Sequence, residues 1–252
     1  MASTIIFDIG SFYITYYNLV YVLGTLVVLF SLLYASRKKK IDLKEGEVYD
    51  LVFILILGLV IGARIFHVIF WKWSYYSIQP SAILKIWNGG LSFHGGLFGT
   101  IIAGFLYSWK KKISPWKIAD VMVIPVLLFL ALGRIANFIN QEIIGIITNT
   151  SWCVIFDDYL GCRHPVQIYG AIGRFALFLF VMFLSDVKKW KDGFLFWISL
   201  FLLGIGRFLV DFLREDILHF GLKSGQWLSL PMIIISCFIL LRDYKKDLGI
   251  NT

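Results

Sequence analysis

The segment that decides the fold runs from residue 49 to residue 71 and reads Y-D-L-V-F-I-L-I-L-G-L-V-I-G-A-R-I-F-H-V-I-F-W. As an α-helix rising about 1.5 Å per residue, it is long enough to cross a hydrocarbon core roughly 30 Å thick. The rest of the chain has a similar character, because 59% of its 252 residues are hydrophobic and only 16% are charged. This balance excludes both a disordered chain and a water-soluble globule.

Comparable apolar segments recur along the chain and predict an all-α, polytopic integral membrane protein with seven transmembrane helices. A segment in lipid must satisfy its own backbone hydrogen bonds, which is why each one is expected to be helical. We expect residues 1–252 to form a single transmembrane domain. The predicted spans are 13–34, 49–71, 94–109, 116–137, 166–184, 194–213 and 226–241.

The charge pattern predicts how the chain crosses the membrane. Most of its 24 lysine and arginine residues fall on alternate connections, such as 37–44 and 110–117. Basic connections face the cytoplasm, so the N-terminus is expected outside and the C-terminus in the cytoplasm. The first apolar segment has no small-residue cleavage site, so we expect a retained span rather than a removed signal peptide. The external connection 138–165 is too long for a tight turn and is expected to cover a site.

Four arginines lie inside predicted spans, where a charge at the bilayer centre costs about 2.5 to 3.5 kcal/mol. At about 1.5 Å per residue, all four fall between the midplane and the outer surface. They are Arg64, Arg134, Arg174 and Arg207. Asp211 is the intramembrane acid available to them, so an anion is expected from elsewhere. The abundant anion in a membrane is the lipid phosphate, which a guanidinium binds through a planar fork.

Helical spacing groups further polar residues with these arginines. Two trios would each line one helix face if their helices were unbroken. The trios are Arg134, Asn137 and Gln141, and Arg207, Asp211 and Arg214. The pattern predicts an anionic-lipid site that opens towards the outer leaflet. The alternative is internal pairing, for example of Arg207 with Asp211.

Two motifs carry a family resemblance. Residues 87–99, W-N-G-G-L-S-F-H-G-G-L-F-G, deliver His94 to the outer end of the third span, and their glycines permit close backbone approach to a ligand. Residues 133–145, G-R-I-A-N-F-I-N-Q-E-I-I-G, carry an Arg, two Asn and a Glu into the external connection. Together they resemble the prolipoprotein diacylglyceryl transferase family of the bacterial inner membrane. Further matches cover nearly the whole chain: Tyr16-Tyr17, G-A-R at 62–64, R-H-P-V-Q-I-Y at 163–169, G-R-F-L-V-D-F-L-R at 206–214 and G-Q-W-L-S-L-P-M at 225–232.

The resemblance implies a transferase. Its partners would be phosphatidylglycerol, which donates the sn-1,2-diacylglyceryl group, and a prolipoprotein signal peptide, whose lipobox cysteine thiol accepts it. Glycerol 1-phosphate would be released. The nucleophile would belong to the substrate, in agreement with three cysteines that form no catalytic pattern. We expect no cofactor, metal or nucleic acid, since no zinc-ligand spacing, P-loop or nucleotide fingerprint is present.

The resemblance also implies roles for individual residues. Arg134 and Arg207 would bind the phosphate, Asn137 and Asn140 would orient the head group, and Gly145 would allow close packing. Further substrate contacts are expected from Tyr17, Arg64, Gly95, Gly96 and Arg214, with Tyr169 at the interface. For Arg174 a purely structural role is open.

The thiol must lose a proton, and the candidates for the general base are His94 and Glu142. An imidazole accepts a proton at neutral pH, whereas a carboxylate does so only in an environment that disfavours its charge. We favour His94, and a base supplied by neither residue stays open.

The sequence departs from the family at three positions. Gln141 stands where glycine is usual, Gly170 where an acidic residue is common, and Asp211 where glutamate is usual. A bridge between Cys153 and Cys162 is possible if both face an oxidising compartment.

Two other functions compete with this interpretation. A transporter or flippase for anionic lipid would explain the buried arginines equally well. A metal-dependent phospholipid phosphotransferase would need clustered aspartates inside a span, and the sequence has none.

Overall fold

The computed structural model describes the backbone of residues 5–9 and 12–250, and side chains from residue 20 onward except 21, 88 and 93. The described part is mainly helical. Its helices are α1 (Tyr16–Arg37), α2 (Glu45–Phe70), α3 (Trp73–Ile78), α4 (Phe93–Lys111), α5 (Pro115–Ile139), α6 (Val166–Val187), α7 (Phe194–Asp211) and α8 (Ser224–Asp243). Short 3-10 turns lie at Pro80–Leu84 and Ile86–Asn88.

Three short antiparallel hairpins complete the described structure. They pair β1 (Ile5–Ile9) with β2 (Phe12–Thr15), β3 (Val154–Ile155) with β4 (Cys162–Arg163), and β5 (Leu218–His219) with β6 (Leu222–Lys223).

Each apolar segment singled out in the sequence lies mainly in a helix. Within the described residues, five helices are long and apolar enough to cross a membrane: α2, α5, α6, α7 and α8. α1 contributes a shorter apolar segment, Val22–Arg37. Large apolar side chains on the long helices are exposed, such as Phe53 at 62% and Phe183 at 66%. This is the surface of an α-helical membrane protein, and the prediction of that fold class is confirmed.

The chain forms two compact units. The smaller unit, Leu32–Ile118, is built on the close packing of α2 against α4. A Cβ atom at Gly58 would lie 2.6 Å from the carbonyl oxygen of Gly99, and one at Gly62 would lie 2.8 Å from Gly99 Cα. Glycine at these positions lets the two backbones touch, as in other membrane helix pairs.

The larger unit comprises Met1–Ser31 and Ala119–Thr252, and within it α7 packs against α6 and α8. The side chain of Asp120 on α5 accepts hydrogen bonds from the backbone N–H groups of Gly193 (2.6 Å) and Phe196 (2.8 Å). These donors belong to the start of α7, where N–H groups have no partner within the helix. Asp120 therefore caps the start of α7 from within α5.

The connection between α5 and α6 is folded rather than loose. Cys153 and Cys162 form a disulfide with their Cα atoms 5.4 Å apart, which closes the β3–β4 hairpin. The backbone around Ile146 lies between two other segments, since Ile146 N–H donates to Leu213 O (2.8 Å) and His164 N–H donates to Ile146 O (3.1 Å). The bridge that the sequence left open is thus present.

Both helices that carry the polar trios end earlier than their spacing suggested. α5 ends at Ile139 and α7 at Asp211, so the condition of unbroken helices does not hold, and Gln141 and Arg214 lie beyond the helical faces. Gln141 adopts a left-handed backbone with φ of 53°, which favours glycine. Its side chain donates to Asp157 Oδ2 (2.6 Å) and accepts from Asp157 N–H (2.8 Å). This pairing holds the turn that follows α5.

Candidate active site

Four of the arginines considered above line one pocket in the larger unit, which we call the arginine pocket. Its cavity volume is about 10 Å³, and it is lined by Arg134, Arg174, Arg207, Arg214, Asp211, Ile143, Val166, Gly170 and Val210. The arginines come from α5, α6, α7 and the turn after α7. Four arginines and one aspartate line the pocket, so the lining has an excess of positive charge. Such a pocket attracts an anion with several acceptor oxygens.

The pairing of Arg207 with Asp211 is present but incomplete. Arg207 Nε lies 3.7 Å from Asp211 Oδ2, one helical turn along α7. Both atoms are buried, and neither has a hydrogen-bond partner among the described residues. The internal pairing considered above is therefore an ion pair that leaves Arg207 Nε without a hydrogen bond.

Asp211 is held in place by the start of α8. Its side chain packs against Gly225, where a Cβ atom would lie 2.9 Å from Asp211 Cγ and 3.4 Å from Arg207 Nη2. The first residue of the G-Q-W-L-S-L-P-M motif is thus glycine because the carboxylate occupies the space of a side chain. This contact connects α8 to the arginine pocket.

Arg214 lines the pocket although it is not on the helix. It follows two turn residues after α7 and forms a β-bridge with Gly145. Arg214 Nη2 lies 3.5 Å from Asp216 Oδ2. A Cβ atom on Gly145 would lie 2.9 Å from His164 Cβ, so the predicted close packing at this glycine agrees with the geometry.

Asn137 and Glu142 lie next to each other at the end of α5. Asn137 Nδ2 donates to Glu142 Oε2 (3.0 Å), and the fully buried Gln167 donates from Nε2 to Glu142 O (2.7 Å). Asn140 follows the end of the helix, and its backbone N–H donates to Ala136 O (2.9 Å). The carboxylate of Glu142 thus has a fixed neighbour in the unit that holds the arginine pocket.

Arg163 is a structural anchor that sequence reasoning missed. It is 6% exposed and donates to Gly145 O (3.0 Å) and Leu160 O (3.0 Å), and it pairs with Glu215. Its guanidinium also lies 5.4 Å from the centre of the Tyr159 ring. The signal for Arg163 in the sequence was its place at the start of the R-H-P-V-Q-I-Y motif.

Of the two predicted tyrosines, Tyr169 has described side-chain contacts and Tyr17 has a described backbone only. The hydroxyl of Tyr169 accepts a hydrogen bond from Trp152 Nε1 (2.7 Å) and lies 3.1 Å from His164 Nδ1. It therefore ties the connection between α5 and α6 to the start of α6. Tyr17 belongs to α1, and its side chain lies outside the described residues.

In the smaller unit, Arg64 is surrounded by backbone carbonyls. It is 5% exposed and stacks 5.0 Å from the Tyr76 ring. Its Nε, Nη1 and Nη2 atoms donate to five carbonyl oxygens, those of Ala82, Ile83, Lys85, Gly89 and Gly90, at 2.6 to 3.2 Å. A guanidinium has five N–H donors, so these bonds match its full capacity. The geometry supports a structural role, in which Arg64 shapes the segment before α4.

His94 also lies in the smaller unit, at the second position of α4. It is exposed, and its ring centre is 6.5 Å from that of Phe66. Ser92 caps this helix start by accepting from Gly95 N–H (3.5 Å). Gly95 and Gly96 are buried against α2, with the Cβ position of Gly96 3.4 Å from Leu59 O. These two glycines support helix packing, and they bring His94 to an exposed helix end.

Long apolar helices and a pocket with four arginines define the class of this molecule, an α-helical membrane protein with a site suited to an anion. Comparison with known sequences identifies the family. The sequence model described as prolipoprotein diacylglyceryl transferase matches residues 4–242. The chain belongs to the prolipoprotein diacylglyceryl transferase family and is a transferase, and the resemblance found in the motifs is confirmed.

Similar proteins carry the name phosphatidylglycerol–prolipoprotein diacylglyceryl transferase. The one from Geobacter sulfurreducens is 32% identical over 97% of this chain and 96% of its own length. That from Rickettsia typhi is 35% identical over 97% and 98%, and that from Polynucleobacter asymbioticus is 38% identical over 93% of both chains. The family catalyses the first step of lipoprotein maturation.

Proposed function

We propose that this protein transfers the sn-1,2-diacylglyceryl group of phosphatidylglycerol to the lipobox cysteine of a prolipoprotein signal peptide. Family membership supports the reaction, and the names of the relatives support both substrates. The observation that carries the proposal is the arginine pocket, which four arginines and one aspartate line. The lipid phosphate is the anion that completes it.

The reaction creates additional negative charge on the phosphate that this pocket must stabilise. The thiol sulfur forms a bond to the glycerol carbon that bears the phosphate, and the carbon–oxygen bond breaks. The electron pair stays on the phosphate oxygen, so glycerol 1-phosphate leaves with more negative charge than the diester had. The thiol proton passes to a base. Donors already aimed at the phosphate stabilise this new charge in the transition state.

The predicted residues divide into contacts and supports. Arg134 and Arg207 bind the phosphate oxygens from α5 and α7, because a guanidinium fork matches phosphate geometry. Asn137 and Asn140 orient the head group at the end of α5, and Arg214 adds a donor from the turn after α7. Supporting positions are held by Arg64, Gly95, Gly96 and Gly145, which shape or pack the backbone, and Tyr17 stays a predicted contact.

His94 and Glu142 remain the candidates for the general base. The exposed position of His94 at a helix start leaves its ring accessible for proton transfer. The carboxylate of Glu142 accepts a hydrogen bond from Asn137, so one of its oxygens is already engaged. We therefore assign the proton to His94, with Glu142 as the alternative.

The orientation in the membrane is part of the proposal. A disulfide persists in an oxidising compartment, and Cys153 and Cys162 lie in the connection 138–165 that the basic residues place outside. This agreement supports the placement of that connection outside. We infer seven spans in a bacterial inner membrane, with the N-terminus outside, the C-terminus in the cytoplasm and the site towards the outer leaflet. The same connection then covers the site.

The test is a lipidation assay with the full-length protein in vesicles that contain phosphatidylglycerol. A lipobox peptide should gain the mass of one diacylglyceryl group. Arg134→Lys and Arg207→Lys should each lower the rate about 100-fold or more, since lysine lacks the fork. Arg242→Lys is the matched control, because this arginine of α8 is exposed and paired with Asp243, and it should act like wild type.

Two results would reject the proposal. One is a peptide without the added mass although labelled phosphatidylglycerol moves between leaflets, which would identify a flippase. The other is near wild-type activity in both lysine variants, which would remove the phosphate from the arginine pocket.

A further inference from the structure

Gly170 leaves a space in the arginine pocket that Arg174 fills. A Cβ atom on Gly170 would lie 2.8 Å from Arg174 Nη1 and 3.5 Å from Arg134 Cδ. Arg174 follows one turn later on α6, and its Nη1 donates to Gly170 O (2.8 Å). Side chains on a helix lean towards its N-terminus, so Arg174 reaches back along the surface that Gly170 leaves bare. Any other residue at position 170 would displace its guanidinium.

The charges around Arg174 favour a role in binding. A guanidinium has five N–H donors, and Gly170 O accepts from one of them. The acid that lines the same pocket, Asp211, already lies 3.7 Å from Arg207. Placing a further positive charge beside Arg134 and Arg207 costs energy in the empty pocket. An anion of more than one charge would offset that cost.

We propose that Arg174 is a further phosphate-binding arginine, given its place by Gly170 and directed at the charge that appears on the departing phosphate. This inference rests on the proposed function. A phosphodiester carries one negative charge, whereas the monoester that leaves carries about 1.5 to 2 at neutral pH. Arg174 therefore stabilises the transition state and the product more than the bound lipid. It affects kcat and product affinity more than KM.

The experiment compares kinetics of Arg174→Gln with wild type in vesicles of defined phosphatidylglycerol fraction. We expect kcat to fall about 10- to 100-fold, the loss of one hydrogen bond to a charged group. The inhibition constant for glycerol 1-phosphate should rise by a similar factor, and KM for the lipid should change less than about threefold. Arg242→Gln on α8 is the matched control and should leave all three constants unchanged.

A second variant tests the space at position 170. Gly170→Ala keeps the arginine but displaces its guanidinium, and it should lower kcat in the same direction. Gly173→Ala on the same helix has nothing within 4 Å of its new Cβ and serves as control. In an Arg174→Gln background, Gly170→Ala should cause no additional loss, because the group it displaces is gone.

The outcomes are distinct. The proposal stands if kcat and the glycerol 1-phosphate inhibition constant change while KM does not, and if the two substitutions are non-additive. It is overturned if Arg174→Gln keeps wild-type kcat and inhibition, or if all three constants worsen by the same factor, as a structural role predicts. Should Arg174→Gln fail to fold, Gly170→Ala decides alone: unchanged kinetics overturn the proposal. A wild-type protein that cannot lipidate the peptide refutes the proposed function itself.

Discussion

Gly225→Ala is expected to weaken transfer although the residue does not line the arginine pocket. Its new Cβ atom would lie 2.9 Å from Asp211 Cγ, inside the 3.4 Å at which ordinary contact begins. The carboxyl carbon must retreat by about 0.5 Å and the nearer oxygen by more than about 1 Å. Arg207, oriented by that carboxylate at 3.7 Å, moves with it.

The size of the effect follows from this displacement. A misplacement of about 1 Å at a binding group costs up to about 100-fold in rate, so kcat/KM should fall about 10- to 100-fold. The assay is the lipidation of a lipobox peptide in phosphatidylglycerol vesicles, with the thermal unfolding midpoint as a check on folding. Gly46→Ala is the matched control, since Gly46 is also the second residue of a helix and its Cβ position has nothing within 4 Å.

A double variant tests whether Gly225→Ala lowers kcat/KM by displacing Asp211. Asp211→Ala alone removes the carboxylate that is displaced, so adding Gly225→Ala to it should cause no further loss. Additive losses in the double variant, or wild-type kcat/KM in Gly225→Ala, would refute the link from α8 through Asp211 to Arg207.

Three other predictions follow from the described contacts. If His94 is the base, the pH–rate profile of His94→Gln should lose the acidic limb seen in wild type and in Glu142→Gln, and an unchanged limb removes His94 from that role. Arg64→Gln should lower the free energy of unfolding by about 3 kcal/mol, because five backbone carbonyls lose a buried partner. A chemical unfolding curve with an unchanged midpoint would contradict the structural role of Arg64. Cys153→Ser should destabilise the β3–β4 hairpin by about 2 to 3 kcal/mol and speed its proteolysis. Cys237→Ser, at a free cysteine, should change neither. Equal protease sensitivity in the two variants would count against the bridge.

The fold was predictable because membrane helices follow from local composition. The apolar segment 49–71 lies within α2, and the remaining segments likewise lie mainly in helices, because lipid leaves the backbone few alternatives. The helix ends were less predictable. α5 and α7 end before Gln141 and Arg214. Turns and contacts with the α5–α6 connection follow there, and such features leave no periodic signal in the sequence.

The site was predictable where charge alone decided it. Arg134 and Arg207 stood out because a charge inside a span needs a partner, and the structure places both in one pocket. The role of Arg64 could not be derived in the same way, because its partners are backbone carbonyls of a segment whose path depends on tertiary packing. The position of the Arg174 guanidinium could not be derived either, because it depends on the space that Gly170 leaves by having no side chain.

The phosphate of phosphatidylglycerol is expected to bind in the arginine pocket, and an experimental structure of the protein in phosphatidylglycerol bilayers would show it there. We expect phosphate oxygens at hydrogen-bond distance, about 2.7 to 2.9 Å, from guanidinium nitrogens of Arg134 and Arg207. A head group bound elsewhere, with this pocket holding only water, would contradict it.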